Sequence, residues 1–343
     1  MLNKKKLYIR EAVCISGQDT FRSDGANDSL CDAASTPFSL RPLAEKNKDQ
    51  NYASAIDPDF KAYIPVRKLR RMCAITRRGL LASLQLLKWA KMDEPDAIIV
   101  GTGLGCLHET FSFLDIMIQE KEAFVNPSHF IQSTHNTIAG QIALMLKCTN
   151  YNLTFSQKKK SFESALIDAW LLFNEGEVNN VLLGGVDELD TRLVDKMSKL
   201  PCYRGKVLSE GAAFFLLDKE IAEVEVVACT VSFGPKFDPL AVLAQYHMED
   251  IDLFIYDEQD DLDGGFSLKQ EYSDKNSIDY QQIFGTYDTV VSSAVWLGYT
   301  VLKNQSLPQG IPFDIEPKGE IKNCAIYTAS ADNQSLILLR HVS

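Results

Sequence analysis

The sequence has no Cys-x-x-Cys pair and no Cys/His spacing suited to a metal. Eight cysteines are scattered through 343 residues, at Cys14, Cys31, Cys73, Cys106, Cys148, Cys202, Cys229 and Cys324. That is too sparse for a secreted disulfide framework, so reduced, mostly packed thiols and no metal are expected. Histidine is scarcer, with five in all and none between His247 and His341. Basic residues number 35 against 46 acidic ones, for a formal net charge of −11. A nucleic-acid binder usually carries a basic face, so that class is disfavoured. No stretch approaches the ~18 apolar residues of a membrane span. The opening MLNKKKLYIREAVCISG has a basic cluster, but Arg10 and Glu11 interrupt the apolar run behind it, so it fails as a signal peptide. The expectation is a soluble, cytoplasmic protein.

What is present is a chain 45% hydrophobic, enough for a substantial core. Residues 7–16 suit a first strand. A polar stretch from Gly17 to about Lys61 reads as irregular surface structure. Residues 66–92 and 130–146 have helical apolar spacing, and 108–119 a further helix. Asn126-Pro127-Ser128 breaks the chain. Residues 96–105 form a buried strand running into the glycine turn GTGLG, which lacks the third glycine of a dinucleotide loop; no cofactor is expected. Short strands follow at 150–155, 179–188 and 251–257. Residues 206–220 and 222–234 read as long, neighbouring strands. A loop covers about 258–278, and a helix 289–304. Residues 324–330 and 335–342, joined around Ala331-Asp332-Asn333-Gln334, close the chain as a hairpin. Strands alternating with helices make an α/β pattern.

Between the strand at 150–155 and the next helix stands LTFSQKKKSFESALIDA, residues 153–169. Strand, tight corner and amphipathic helix is where many enzymes place a nucleophile, yet this corner holds three lysines. Upstream lie Pro127-Ser128-His129-Phe130-Ile131-Gln132 and His135-Asn136-Thr137-Ile138-Ala139-Gly140. Downstream lie Leu182-Leu183-Gly184-Gly185-Val186 and Tyr203-Arg204-Gly205-Lys206-Val207-Leu208-Ser209-Glu210-Gly211-Ala212-Ala213. In this order and spacing, the four segments resemble the β-ketoacyl synthases, condensing enzymes of the thiolase fold. The resemblance covers most of 60–220 and is thinner beyond. A finer likeness is to the divergent bacterial branch of aryl polyene and flexirubin-type pathways. It implies two similar α/β halves in a layered αβαβα arrangement, with paired helices between two sheets. The first half would be residues 1–219 and the shortened second half 220–343. It also implies a dimer joined across the strand at 150–155.

The departures bear on chemistry. In the family a cysteine at the corner takes the acyl group, its thiolate favoured by the helix N-terminus. The matching position here is Lys159. The two family histidines fall at Asp257 and Thr286, the latter reached through Gln281 and Gly285. Like charges and the helix dipole disfavour an ammonium at such a corner, and a neutral amine would be nucleophilic. An acylated amine is an amide, however, and does not pass its acyl group on. Glu163 stands at helical spacing to pair with Lys159 or Lys160, which makes a solvated or salt-bridged corner the plain reading. His135, Asn136, Ser161, Phe162 and Glu163 are candidates for the pocket or subunit contact. Lys68-Leu69-Arg70-Arg71 with Arg77-Arg78 could form a basic helix face for an acidic carrier protein, or simply a solvated one.

The resemblance therefore implies a non-catalytic, chain-length-factor-like subunit of polyketide or fatty-acid-type biosynthesis. Its partners would be an active ketosynthase, or a second copy of itself, and acyl carrier protein. The alternative is an active synthase or acyltransferase relative with a different nucleophile, Cys106 or His135, with Cys148 a weaker candidate. A third option is a scaffold with an occluded pocket.

Overall fold

A computed structural model describes residues 5–22, 39–46, 51–70, 72–121, 127–233, 237–258, 268–272, 275–311, 319–330 and 333–342. Ten strands form the main sheet: β1 (Leu7–Ile15), β2 (Ala97–Gly101), β3 (Tyr151–Phe155), β4 (Asn180–Asp187), β5 (Gly211–Asp218), β6 (Val224–Phe233), β7 (Leu253–Glu258), β8 (Asn276–Asp279), β9 (Asn323–Ser330) and β10 (Asn333–His341). The helices that matter for the site are α1 (Ala74–Ala90), α2 (Leu107–Gln119), α3 (Pro127–Ser133), α4 (Thr137–Leu146), α5 (Ser161–Glu175), α6 (Pro239–Gln245), α7 (Leu268–Glu271), α8 (Tyr280–Phe284) and α9 (Val290–Asn304).

The first five strands lie in the order β3-β2-β4-β5-β1 and the second five in the order β8-β7-β9-β10-β6. In each set the first three are parallel and the last two antiparallel to their neighbours. The topology is therefore the same twice over. The sets meet where Leu7–Ile9 of β1 pairs with Val224–Val226 of β6, which makes one ten-stranded sheet.

Period-two alternation divides the core. Leu7, Ile9, Ala12 and Cys14 of β1 face one apolar cluster, and Val13 and Ile15 face another. The first cluster takes inward residues from both strand sets and closes on Phe162, Ala165, Leu166 and Ala169 of α5 and on Val291, Ala294, Trp296 and Leu297 of α9. These two helices lie between the sets. Outside the first set pack α1 and α4, and outside the second α6 and α7, which completes the layering of helix, sheet, helix, sheet, helix. The expected thiolase-like α/β architecture is present.

Several local expectations change. The strand pairs 206–220 and 222–234 are not neighbours, because β1 lies between β5 and β6. Residues 66–92 are two helices, Val66–Leu69 and α1; Cys73 between them is extended (φ −69°, ψ 165°) and its N–H is taken by Gln132 Oε1. Residues 130–146 are likewise split into α3 and α4, with Asn136 just before α4. The segment read as irregular holds a short strand, Tyr52–Ala53, paired in parallel with Leu208–Ser209. Arg71, Asn126, Cys31, Ala331-Asp332 and much of the 258–278 loop lie outside the described residues.

Phe162 is 0% exposed and its ring lies 5.7 Å from that of Phe215. Phe162→Ala should lower unfolding free energy by about 3–5 kcal/mol, read from denaturant midpoints at unchanged slope. A loss under ~1 kcal/mol would show that the layer between the sets is loosely packed.

Candidate functional site

The corner after β3 is a turn of 3-10 helix at Lys158–Lys160, running straight into α5. Lys158 takes a left-handed backbone (φ 51°), a conformation a branched residue would resist. Ser161 fixes the bend: its hydroxyl accepts the Gln157 N–H at 2.8 Å and donates to the Lys158 carbonyl at 2.7 Å. Lys158 points to solvent and Lys159 is half-buried.

Lys160 goes the other way. Its side chain is 3% exposed, and Nζ donates to Glu163 Oε1 at 3.1 Å and to Ser335 Oγ at 2.9 Å. Ser335 Oγ in turn donates to Glu163 Oε1 at 2.8 Å. Glu163 is 0% exposed, and its Oε2 has no hydrogen-bond partner among the described residues. The pairing expected of Glu163 is thus made by Lys160, but inside the protein rather than on a solvated corner.

Asp257 and Thr286, which the sequence reading sets against the two family histidines, are joined through Gln281, on α8. Its side-chain amide donates to Asp257 Oδ2, and its Oε1 accepts from Thr286 Oγ1 at 3.1 Å. Lys206 Nζ stands 3.9 Å from Asp257 Oδ1. Burial pushes the Asp257 carboxyl up, and the charges of Lys206, Lys159 and Lys160 pull it back. Lys159 therefore lies within electrostatic reach of Asp257, and the three positions share one region.

Two further carboxylates complete it. Asp187, at the end of β4, is fully buried and accepts from Thr102 Oγ1, Gly103 N, Leu104 N, Thr289 N and Thr289 Oγ1 at 2.8–3.2 Å. The amides of the GTGLG loop thus bind a side-chain carboxylate, not a phosphate. Asp288 lies over that loop: a Cβ on Gly103 would come within 2.2 Å of it, so only glycine fits there. Burial and the charge of Asp187 push Asp288 up to about 6, against the pull of Lys159 and Lys158.

Among the described thiols, Cys229 has its Sγ 3.9 Å from the Glu163 carbonyl in the first turn of α5. Burial and the Glu163 charge push that thiol up, away from the thiolate. Cys106 is 0% exposed and held 3.0 Å from Cys73, and Cys148 is buried against the Pro95 carbonyl at 3.6 Å. His135 is exposed, its ring close to Gly105, and Asn136 is exposed at the start of α4 without a side-chain cap. Ser161, Phe162 and Glu163 are interior. The site candidates therefore separate into an internal group at the corner and a surface group near α3.

The expected basic helix face is not one face. Arg78 is 4% exposed and buried against Asp57 and Glu210, at 2.5 and 2.8 Å. Arg77 donates to the Leu69 carbonyl at 3.0 Å, and Lys68 reaches Met145 Sδ.

A large apolar surface adjoins the corner. Neither α2 nor α3 contains a buried residue, although α2 reads LHETFSFLDIMIQ. Leu114, Ile118, Phe130, Ile131, Leu144 and Leu153 are exposed across α2, α3, α4 and β3. β3 ends the sheet, and among the described residues its outer backbone edge has no strand partner.

With this geometry in place, residues 44–208 match the family of the β-ketoacyl synthase N-terminal domain. Among solved structures, a ketosynthase in complex with its chain length factor from Xenorhabdus doucetiae is 15% identical, with 98% of each chain covered and a TM-score of 0.73. A type II polyketide synthase acyl-carrier protein complex with its ketosynthase is 16% identical, covering 98% of this chain and 100% of that one, also at 0.73. A β-ketoacyl synthase from Burkholderia phymatum is 16% identical, covering 99% and 100%, at 0.69. No curated protein sequence matches. The resemblance read from the sequence is supported over residues 44–208, and the chain has the thiolase-like fold of these ketosynthase structures.

Two measurements check the site. Lys160→Met leaves Glu163 buried and uncompensated, and should cost about 3–5 kcal/mol. The double change Lys160→Met with Glu163→Leu should recover most of that; if it costs as much as the sum of the singles, the two side chains are not coupled. Asp288 has a raised folded pKa, so its ionised form is disfavoured by folding. Its penalty is absent below the unfolded value near 4 and complete above about 6. Denaturation midpoints should fall across that window as pH rises, and Asp288→Asn should flatten the fall.

Proposed function

We propose that this chain is a non-catalytic ketosynthase-like subunit that pairs with an active ketosynthase, as a chain length factor does. The observation that carries the reading is the corner itself. Where the family holds a sulfur nucleophile stands Lys159, and where it holds two imidazoles stand Asp257 and Thr286, tied to each other through Gln281. Asp257 and Asp288 lie near Lys159 and offset the repulsion of the adjoining ammoniums. Acylation of that amine would in any case end in an amide.

The division of labour follows from the halves. Residues 1–219 would supply the corner and the partner surface, and 220–343 the rest of the centre. The apolar residues of α2 and α3 and the open edge of β3 fit a second subunit related to this one. Relatives of the same fold are described as a ketosynthase with its chain length factor and as a carrier protein with its ketosynthase. On this reading an acyl carrier protein is a further partner, in a pathway resembling those of aryl polyenes.

The test is co-expression with a cysteine-bearing ketosynthase and purification through a tag on this chain alone. An equimolar complex that elongates carrier-bound acyl groups is expected, with this chain inactive by itself. A lone homodimer that elongates acyl carriers unaided would overturn the reading. Leu153→Asp with Phe130→Glu, both at exposed positions, should reduce complex formation by tenfold or more, about 1.4 kcal/mol. The unfolding transition of the free chain should stay within about 0.5 kcal/mol of its original value.

A further inference from the structure

Two thiols that play no part in the reading above face each other under the exposed helices. Cys73 stands immediately before α1 and Cys106 immediately before α2. Their sulfurs are 3.0 Å apart, and Cys73 Sγ is also 3.0 Å from Thr76 Oγ1. Both residues are buried, Cys106 at 0% and Cys73 at 6% exposed, so Cys73 is the less enclosed of the two. A disulfide needs them about 1 Å closer. Each precedes a helix of three or more turns, whose unbonded N–H groups favour a thiolate. The Thr76 hydroxyl neighbours both sulfurs but lies nearer Cys73, at 3.0 Å against 3.9 Å for Cys106.

We infer that Cys73 and Cys106 form an oxidation-sensitive site that closes into an intramolecular disulfide in the presence of a peroxide. Cys73 thiolate attacks a peroxide oxygen, the O–O bond breaks, and hydroxide leaves and is protonated to water. The resulting sulfenic acid is attacked by the Cys106 sulfur. The S–S bond forms, the Cys106 proton is released, and the sulfenic oxygen departs as a second water. Both thiols are oxidised and the peroxide is reduced. The bond joins the starts of α1 and α2. The Cys73 N–H already donates to Gln132 on α3, so the closed form ties together the helices that carry the exposed apolar surface.

The test uses the full chain carrying Cys202→Ser, which removes an exposed thiol, treated with hydrogen peroxide. Intact mass should drop by two hydrogens, and digestion should yield a Cys73–Cys106 linked peptide that dithiothreitol cleaves. Cys73→Ser and Cys106→Ser should each abolish the linkage. Buried Cys14 and Cys324 should lose thiol at least tenfold more slowly. Amide exchange across α2 should slow several-fold in the oxidised chain. Over-oxidation without the linked peptide would overturn the site, and unchanged exchange would overturn its link to α2. Neither readout depends on whether a partner subunit exists.

Discussion

The centre of the molecule depends on one buried ion pair, Lys160 with Glu163, closed by Ser335. It stands at the start of α5, and Ser335 reaches it from β10, so it ties the first strand set to the second. A buried pair gains little against an apolar replacement, because desolvation offsets the attraction. Its effect is on geometry. An ammonium removed from water has to find these acceptors, and only one placement of β10 against α5 supplies them. Lys160, the innermost of the three corner lysines, is part of the frame.

The same holds for the surrounding polar groups. Asp187 gathers three donors from the loop after β2 and two from Thr289 before α9. Gln281 spends both ends of its amide on Asp257 and Thr286. Catalysis of acyl transfer needs donors held open for a developing oxyanion and a nucleophile free of other bonds. Here the donors at the centre are turned on neighbouring side chains. Interactions of this kind rigidify, and they leave little to be reassigned to a substrate.

Much of this was legible in the sequence. The strand and helix periods placed nine of the ten main strands, and GG and EGA in register carried the fold. Lys159, Asp257 and Thr286 were assigned by counting from motifs, and the structure brings the three into one region. Which lysine turns inward was not legible, because Glu163 lies at helical spacing from two of them. Ser335 left a weak signal: it shares a strand face with Ile337 and Leu339, and a polar residue on a core-facing alternation needs a buried partner. Asp288 left none, since its burial comes from a loop more than a hundred residues earlier. The order of β5, β1 and β6 also escaped, because a short link between long strands reads as a hairpin until a third strand claims the space between them.

The apolar face follows the opposite logic from the centre. Among the described residues nothing buries the apolar side chains of α2 fully, and Phe113 and Phe130 meet at a tilt of 47° with ring centroids 5.4 Å apart. Leaving such side chains in water forfeits about 25 cal/mol for each Å² that a partner could cover. The centre turns most of its polar groups on one another, while Leu114, Ile118, Phe130 and Ile131 stay exposed on α2 and α3. Such a distribution of burial fits the partner surface proposed above.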